Sequence, residues 1–169
     1  MLETSSISRP SRNESNRGDD MNDNGERMVL AGKVDLPFSY SAGKTASRFF
    51  VELRDHQKIM GKRCPGCQRI IVPAQLFCKD CFVETDEWIE VGPEGTLLTF
   101  TVVYLKENHH PRETPLAYGI IRLDGADTSI VHLLGETDVA KLEHGMKVRA
   151  HFSEERKGHI MDIECFRPV

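Results

Sequence analysis

Two cysteine pairs, Cys64-Pro65-Gly66-Cys67 and Cys78-Lys79-Asp80-Cys81, constrain this chain more than any other feature. A C-x2-C turn brings two thiolates to one side of a tight loop, and two such turns supply the four ligands of one tetrahedral metal site. Ten residues separate Cys67 from Cys78, enough for a small hairpin. A segment this short buries too little apolar surface to fold unaided, so metal-binding energy becomes folding energy. Zinc, one ion per chain on Cys64, Cys67, Cys78 and Cys81, is the leading occupant. A rubredoxin-like iron centre uses the same ligands and stays open as an alternative. A redox dithiol needs one C-x-x-C opening a helix beside a strand, and two pairs in a loop-rich segment argue against it. Disulfides are disfavoured by the setting: the first 27 residues hold no apolar run of the signal-peptide kind, so the expected location is the reducing cytoplasm. Cys165 shares an alternating apolar face with Met161 and Ile163 and is expected in the core.

At 169 residues and 39% hydrophobic, the chain can build one moderate core and a small appendage. No apolar stretch approaches the roughly 20 residues that span a bilayer, so no membrane contact is expected. Residues 1–36 are expected to form a disordered tail, because residues 1–27 carry Ser, Asn, Asp, Glu and Arg with few large apolar side chains.

From Thr45 the apolar period is helical: Ala46, Phe49, Phe50 and Leu53 fall on one face and Arg48, Glu52, Arg54 and Asp55 on the other. The spacing predicts an amphipathic helix within residues 37–60. Its stripe is large, and two covers are open: the protein's own barrel, or another subunit meeting Phe49, Phe50 and Leu53. A ribbon over residues 61–88 follows.

After Trp88 the period changes to two. Strands are expected at Leu97 to Leu105, Leu116 to Leu123, Ser129 to Leu134, Met146 to Phe152 and His159 to Cys165. Gly92-Pro93-Glu94-Gly95, Asp124-Gly125 and Lys157-Gly158 supply turns, and Thr137 to Glu143 reads as a short helix capped by Thr137. Three strands, a helix and two strands is the order of an OB-fold barrel, here residues 89–169. The expected fold class is therefore mainly β: an N-terminal helix, a rubredoxin-like zinc ribbon and a five-stranded OB-fold barrel.

A ribbon beside an OB barrel raises single-stranded nucleic acid as a ligand, and charge argues against it. The net charge is -4, and residues 89–169 hold 9 Lys or Arg against 13 Asp or Glu. A groove that tracks phosphates needs clustered cations. Phe100, Tyr104, Tyr118, Phe152 and Phe166 are the only rings there, at positions that a barrel core claims.

Residues 37–169 resemble the acyl-CoA-associated zinc-ribbon/OB-fold proteins, small subunits that accompany thiolase-type enzymes such as benzoylsuccinyl-CoA thiolase. The resemblance is carried by Ser47-Arg48-Phe49-Phe50 with Leu53-Arg54-Asp55, the cysteine ribbon, Gly95-Thr96-Leu97 with Phe100-Thr101-Val102-Val103, Tyr118 to Gly125, and Phe166-Arg167-Pro168. It implies a noncatalytic zinc-binding subunit that docks on a thiolase-fold catalytic subunit, with two copies of each, and helps shape the acyl-CoA site. The partner supplies the catalytic cysteine and histidine. In agreement, Ser41 and Ser47 lie outside any G-x-S-x-G elbow and no free cysteine sits in a nucleophile motif. Gln68 stands where the family usually has Gly, asking a side chain to accept a strained knuckle turn. Gln75 replaces a common Arg, removing one cation that a phosphate would meet.

Coenzyme A, if bound at a shared site, would draw its phosphate contacts from Arg48, Arg54, Lys62, Arg63 and Arg69, which cluster in sequence around the helix and ribbon. The competing reading is a solvated face, since residues 58–88 hold 5 Lys or Arg against 4 Asp or Glu. None of the seven His has metal-ligand spacing; His109 and His110 fall in a polar loop, and His132 and His151 in strands. A stand-alone acyl-CoA binder and a single-stranded nucleic-acid module remain the alternatives to an accessory subunit.

Overall fold

In the computed structural model, residues 36–106, 110–135 and 138–169 are described. The tail expected at 1–36 therefore lies outside the described residues save for Leu36, as do His109 and the expected helix cap Thr137. Helix α1 (Gly43–His56) forms where the 3.6-residue period predicted it and begins two residues earlier than Thr45. It ends where Gln57 turns left-handed at φ 56, with Gln57 N–H donating to the Leu53 carbonyl and Lys58 N–H to the Glu52 carbonyl. The Arg156 guanidinium donates to the Arg54 carbonyl at 2.7 Å, placing a cation against the negative end of the helix.

The stripe of α1 is covered by this chain itself. Phe49 is 2% exposed and Leu53 fully buried, in one cluster with Ile59, Val72, Val91, Leu97, Ile121 and Phe166. Phe50 is half-buried, its ring edge-on to Phe49 with centroids 5.4 Å apart. Of the two covers left open by the sequence, the chain's own core takes Phe49 and Leu53, while Phe50 stays partly exposed.

Strands β1 (Ile59–Arg63), β2 (Ile70–Ile71) and β3 (Trp88–Val91) make a three-stranded antiparallel sheet in the order β2-β1-β3. Its hydrogen-bonded limits are Ile59 and Val91, so β3 carries the chain directly into the barrel. Five strands then close a barrel in the order β4-β5-β6-β8-β7: β4 (Glu94–Val103), β5 (Leu116–Leu123), β6 (Ile130–Leu134), β7 (Lys147–Phe152) and β8 (Ile163–Pro168). The closing pair is parallel, Leu134 opposite Phe166. Gly95 pairs with Leu123 of β5 and Val148 of β7 at once; a Cβ there would lie 2.6 Å from the Arg122 carbonyl oxygen.

Two expectations change in detail. The helix expected at Thr137 to Glu143 is a single 3₁₀ turn, Val139–Lys141, capped by the Asp138 carboxylate on Ala140 N–H. Only the second half of the expected strand His159 to Cys165 is a strand. Its first half is a second 3₁₀ turn, Ile160–Asp162, in which Met161 is partly exposed while Ile163 and Cys165 are buried. The reason is Asp162, which is 3% exposed and accepts backbone N–H groups from Lys157, Gly158 and His159 at 2.9, 2.8 and 3.2 Å. A carboxylate that organises three donors outweighs strand periodicity. Asp162→Ala is expected to cost about 2 kcal/mol, read as a lower urea midpoint with an unchanged m-value; an unshifted midpoint would remove that assignment.

The β5–β6 loop pins ribbon to barrel. Asp127 Oδ2 accepts Ile70 N–H at 2.8 Å and Asp127 N–H donates to the Ile70 carbonyl at 2.9 Å. Thr128 Oγ1 accepts Val72 N–H at 2.8 Å and donates to the Val72 carbonyl at 2.9 Å. These four bonds extend the β2 edge by side-chain mimicry of a strand, and leave a cleft of about 210 Å³ bordered by Arg69, Gln75, Lys79, Asp80 and Ser129.

Candidate metal centre and its surroundings

The two cysteine turns are built alike. Gln68 N–H donates to the Cys64 carbonyl at 2.8 Å, and Phe82 N–H to the Cys78 carbonyl at 2.9 Å. Each donor residue sits at positive φ, 62° for Gln68 and 55° for Phe82. That conformation favours glycine, so both side chains are held against a local cost. Gln68 recovers part of it through its amide, which donates to the Pro65 carbonyl at 2.9 Å. Phe82 is 84% exposed.

The turns face one another. Cys64 and Cys78 are buried, Cys67 and Cys81 half-buried, and all four sulfurs lie within 4.8 Å of one another. Four sulfurs at about 2.3 Å from a tetrahedral ion are about 3.8 Å apart, and Cys67 Sγ to Cys78 Sγ is 3.8 Å. The donor set therefore fits a zinc ion in size as well as in chemistry. Its electrostatics point the same way. The Arg69 guanidinium, donating to Cys67 Sγ at 3.4 Å, lowers that thiol to about 6. Neighbouring thiols and burial push Cys81 up to about 12. Four such groups ionise together only around a cation. When bound, zinc supplies cross-linking of the two turns; its four protein ligands leave no open position for substrate.

Each of the five candidate cations has a partner within the chain. Lys62 is buried, its ammonium donating to the Thr85 carbonyl at 2.5 Å and lying 5.5 Å from the Trp88 ring centre. The Arg48 guanidinium also lies over the Trp88 ring, 4.5 Å from its centre. Arg63 pairs with Glu87 at 2.8 Å, and Arg54 with Asp55 at 2.7 Å, which holds the Asp55 carboxyl below its usual range. Arg69 alone of the five borders the ribbon–barrel cleft, and it is bound to Cys67 and Asp80. Sequence clustering brought these residues together; strand alternation and local acidic partners disperse them.

His132, placed by sequence in a strand, is 4% exposed in β6. Its Nε2 donates to the Ile160 carbonyl at 3.2 Å, its ring lies edge-on to Phe166, and Nδ1 has no hydrogen-bond partner. Burial lowers its pKa below 6.5. The folded protein thus binds this proton less readily than the unfolded chain, and the stability is lost as pH falls below about 6.5. His132→Gln is expected to flatten the decline of melting temperature on acidification; an equally steep decline in the variant would assign it elsewhere.

What sequence reasoning missed is the far end of the ribbon. Leu76, Phe77, Phe82 and Val83 are all exposed there, around the bridge that pairs Phe77 with Glu84 and the Cys78 N–H bond to the Val83 carbonyl at 2.9 Å. Phe77 and Phe82 flanking the second cysteine pair were the available signal.

Residues 51–87 match the family described as the ChsH2 rubredoxin-like zinc ribbon domain, and residues 88–153 that described as the ChsH2 C-terminal OB-fold domain. A DUF35 domain-containing scaffold protein of Methanocaldococcus jannaschii is 24% identical over 82 residues, 48% of this chain and 58% of that one. The alignment therefore spans little more than half of that relative's length. A DUF35-family protein of unknown function from Sulfolobus solfataricus superposes with a TM-score of 0.53 at 25% identity, over 64% of this chain and 78% of that one. A structure titled Ltp2-ChsH2(DUF35) aldolase gives a TM-score of 0.56 at 22% identity, over 76% and 98% of the respective chains. Among the described residues, no helix is long and apolar enough to cross a membrane.

Proposed function

Because this chain belongs to the ChsH2-type family of zinc-ribbon/OB-fold proteins, we propose that it is a noncatalytic accessory subunit of a thiolase-type acyl-CoA enzyme. The observation that carries the reading is the exposed apolar tip of the ribbon, Leu76, Phe77, Phe82 and Val83, held in shape by the metal turn beside it. Phe82 keeps a bulky ring in water on a left-handed backbone, two costs with no return among the described residues. Burial of this tip against a catalytic subunit supplies the return. Two relatives support the direction: one is described as a scaffold protein and the other is an Ltp2-ChsH2(DUF35) aldolase. Zinc fixes the tip, the tip docks, and the barrel then borders the substrate path of the larger subunit. The acyl-CoA contact belongs to the assembled site, since all five candidate cations already have partners within this chain.

Co-purification from the native host, with the partner identified by mass spectrometry and metal measured in the same eluate, tests the reading. A stoichiometric thiolase-fold subunit and one zinc per chain are expected; recovery of the chain alone, or with nucleic acid, would overturn it. Calorimetric titration with coenzyme A is expected to give heat with the complex and none with the isolated chain. Phe82→Gly tests the tip itself. It relieves the positive φ and is expected to leave stability equal or higher, while weakening association about 30-fold, as for a hot-spot loss of about 2 kcal/mol. Unchanged affinity would move the docking surface elsewhere.

A further inference from the structure

Arg69 is placed to serve the metal rather than a ligand of the cleft. By its backbone it belongs to the first cysteine turn: its carbonyl accepts Cys64 N–H at 2.9 Å. By its side chain it reaches a metal ligand, Nε donating to Cys67 Sγ at 3.4 Å. Its other arm donates to the carboxylate of Asp80, which lies between Cys78 and Cys81 in the second turn. One guanidinium therefore touches one sulfur and bridges both halves of the site.

The chemistry gives that arrangement a purpose. Four thiolates on a divalent ion leave a net charge of about −2 on the cluster, and Cys67 is one of its two half-buried ligands. A hydrogen bond to a metal-bound thiolate withdraws charge from the sulfur and fixes the direction of its lone pairs, as outer partners of metal ligands do generally. Only a planar fork reaches the sulfur and the carboxylate at once.

We propose that Arg69 is a positioning residue of the metal centre, clamping Cys67 toward the ion and locking the two cysteine turns together through Asp80. The inference rests on reading the four cysteines as a metal site, and the wild-type protein reports on that separately: failure to bind Co(II) or Zn(II) at all removes both. The test uses the full chain loaded with each metal. Zn(II) transfer to a colorimetric chelator is expected to be at least about 10-fold faster in Arg69→Met, with partial recovery in Arg69→Lys, which keeps the charge but not the fork. In the Co(II) form, the sulfur-to-metal charge-transfer band is expected to move to lower energy in Arg69→Met, because the sulfur has lost its hydrogen bond. A purely structural arginine would not shift that band. If Arg69→Met fails to fold, Arg69→Gln provides the neutral comparison and is expected to shift both readouts in the same direction. Wild-type release rates and an unmoved band in a folded neutral variant overturn the proposal.

Discussion

Replacing Cys78 by Ser is expected to unfold the ribbon while leaving most of the barrel intact, and to abolish association with the proposed catalytic partner. The cysteine is 1% exposed, and beyond the four cysteines the only buried hydrophobic residue in its local cluster is Ile71. Such a cluster supplies far too little burial to hold the segment. Structural zinc sites contribute roughly 10–16 kcal/mol of apparent binding energy, so losing one of four ligands removes more than the ribbon's own stability. The barrel has separate resources, with Leu97, Ile121, Leu123, Val148, Ile163 and Phe166 almost fully buried. Hydrogen exchange should therefore show protection lost across the cysteine turns and retained in β4 to β8. Cys64→Ser is expected to behave alike, and zinc removal by a strong chelator should reproduce both. A metal-free protein with a protected ribbon and full partner affinity would show that the cysteines are not what shapes the tip.

How much of this was readable beforehand follows from how local each signal is. The cysteine spacing carried the metal site entire, since each turn closes within four residues of sequence. β5 was bounded at Leu116 and Leu123 by its own alternation and flanking turns. The strand β3 is hard to see in sequence because Trp88–Val91 has only four residues, two of them half-buried, and exists only by pairing with β1. The 3₁₀ turn before β8 was hidden for a different reason: its cause is a buried carboxylate, and an Asp in an alternating run looks like a wet-face residue. Arg69 looked like a ligand cation for the same kind of reason, as charge is visible in sequence and its partner is not. Gln68 was the exception, its left-handed turn being foreseeable from the position that follows a second cysteine; Phe82 occupies the equivalent position.

The destination of the helix stripe was open in sequence, and Leu53→Ala separates the two ways it can matter. In the structure Leu53 is fully buried between α1 and the rest of the chain. Truncation removes its transfer energy and leaves a cavity, together about 4 kcal/mol. That is a large share of the 5–15 kcal/mol by which domains of this kind are stable, and a drop in melting temperature of 10 °C or so is the expected reading. Association should behave differently. Leu53 presents no surface, so at temperatures where the variant remains folded its affinity for the proposed catalytic partner is expected to match the wild type. Phe82→Gly is expected to give the opposite pattern, full stability with weakened association. If Leu53→Ala instead kept its melting temperature and lost the partner, the helix would have to leave the core to dock, and the burial of Phe49 and Leu53 would describe only the unbound subunit. The two expected outcomes together would locate the proposed interface by contrast, on the metal-held tip rather than on the helix.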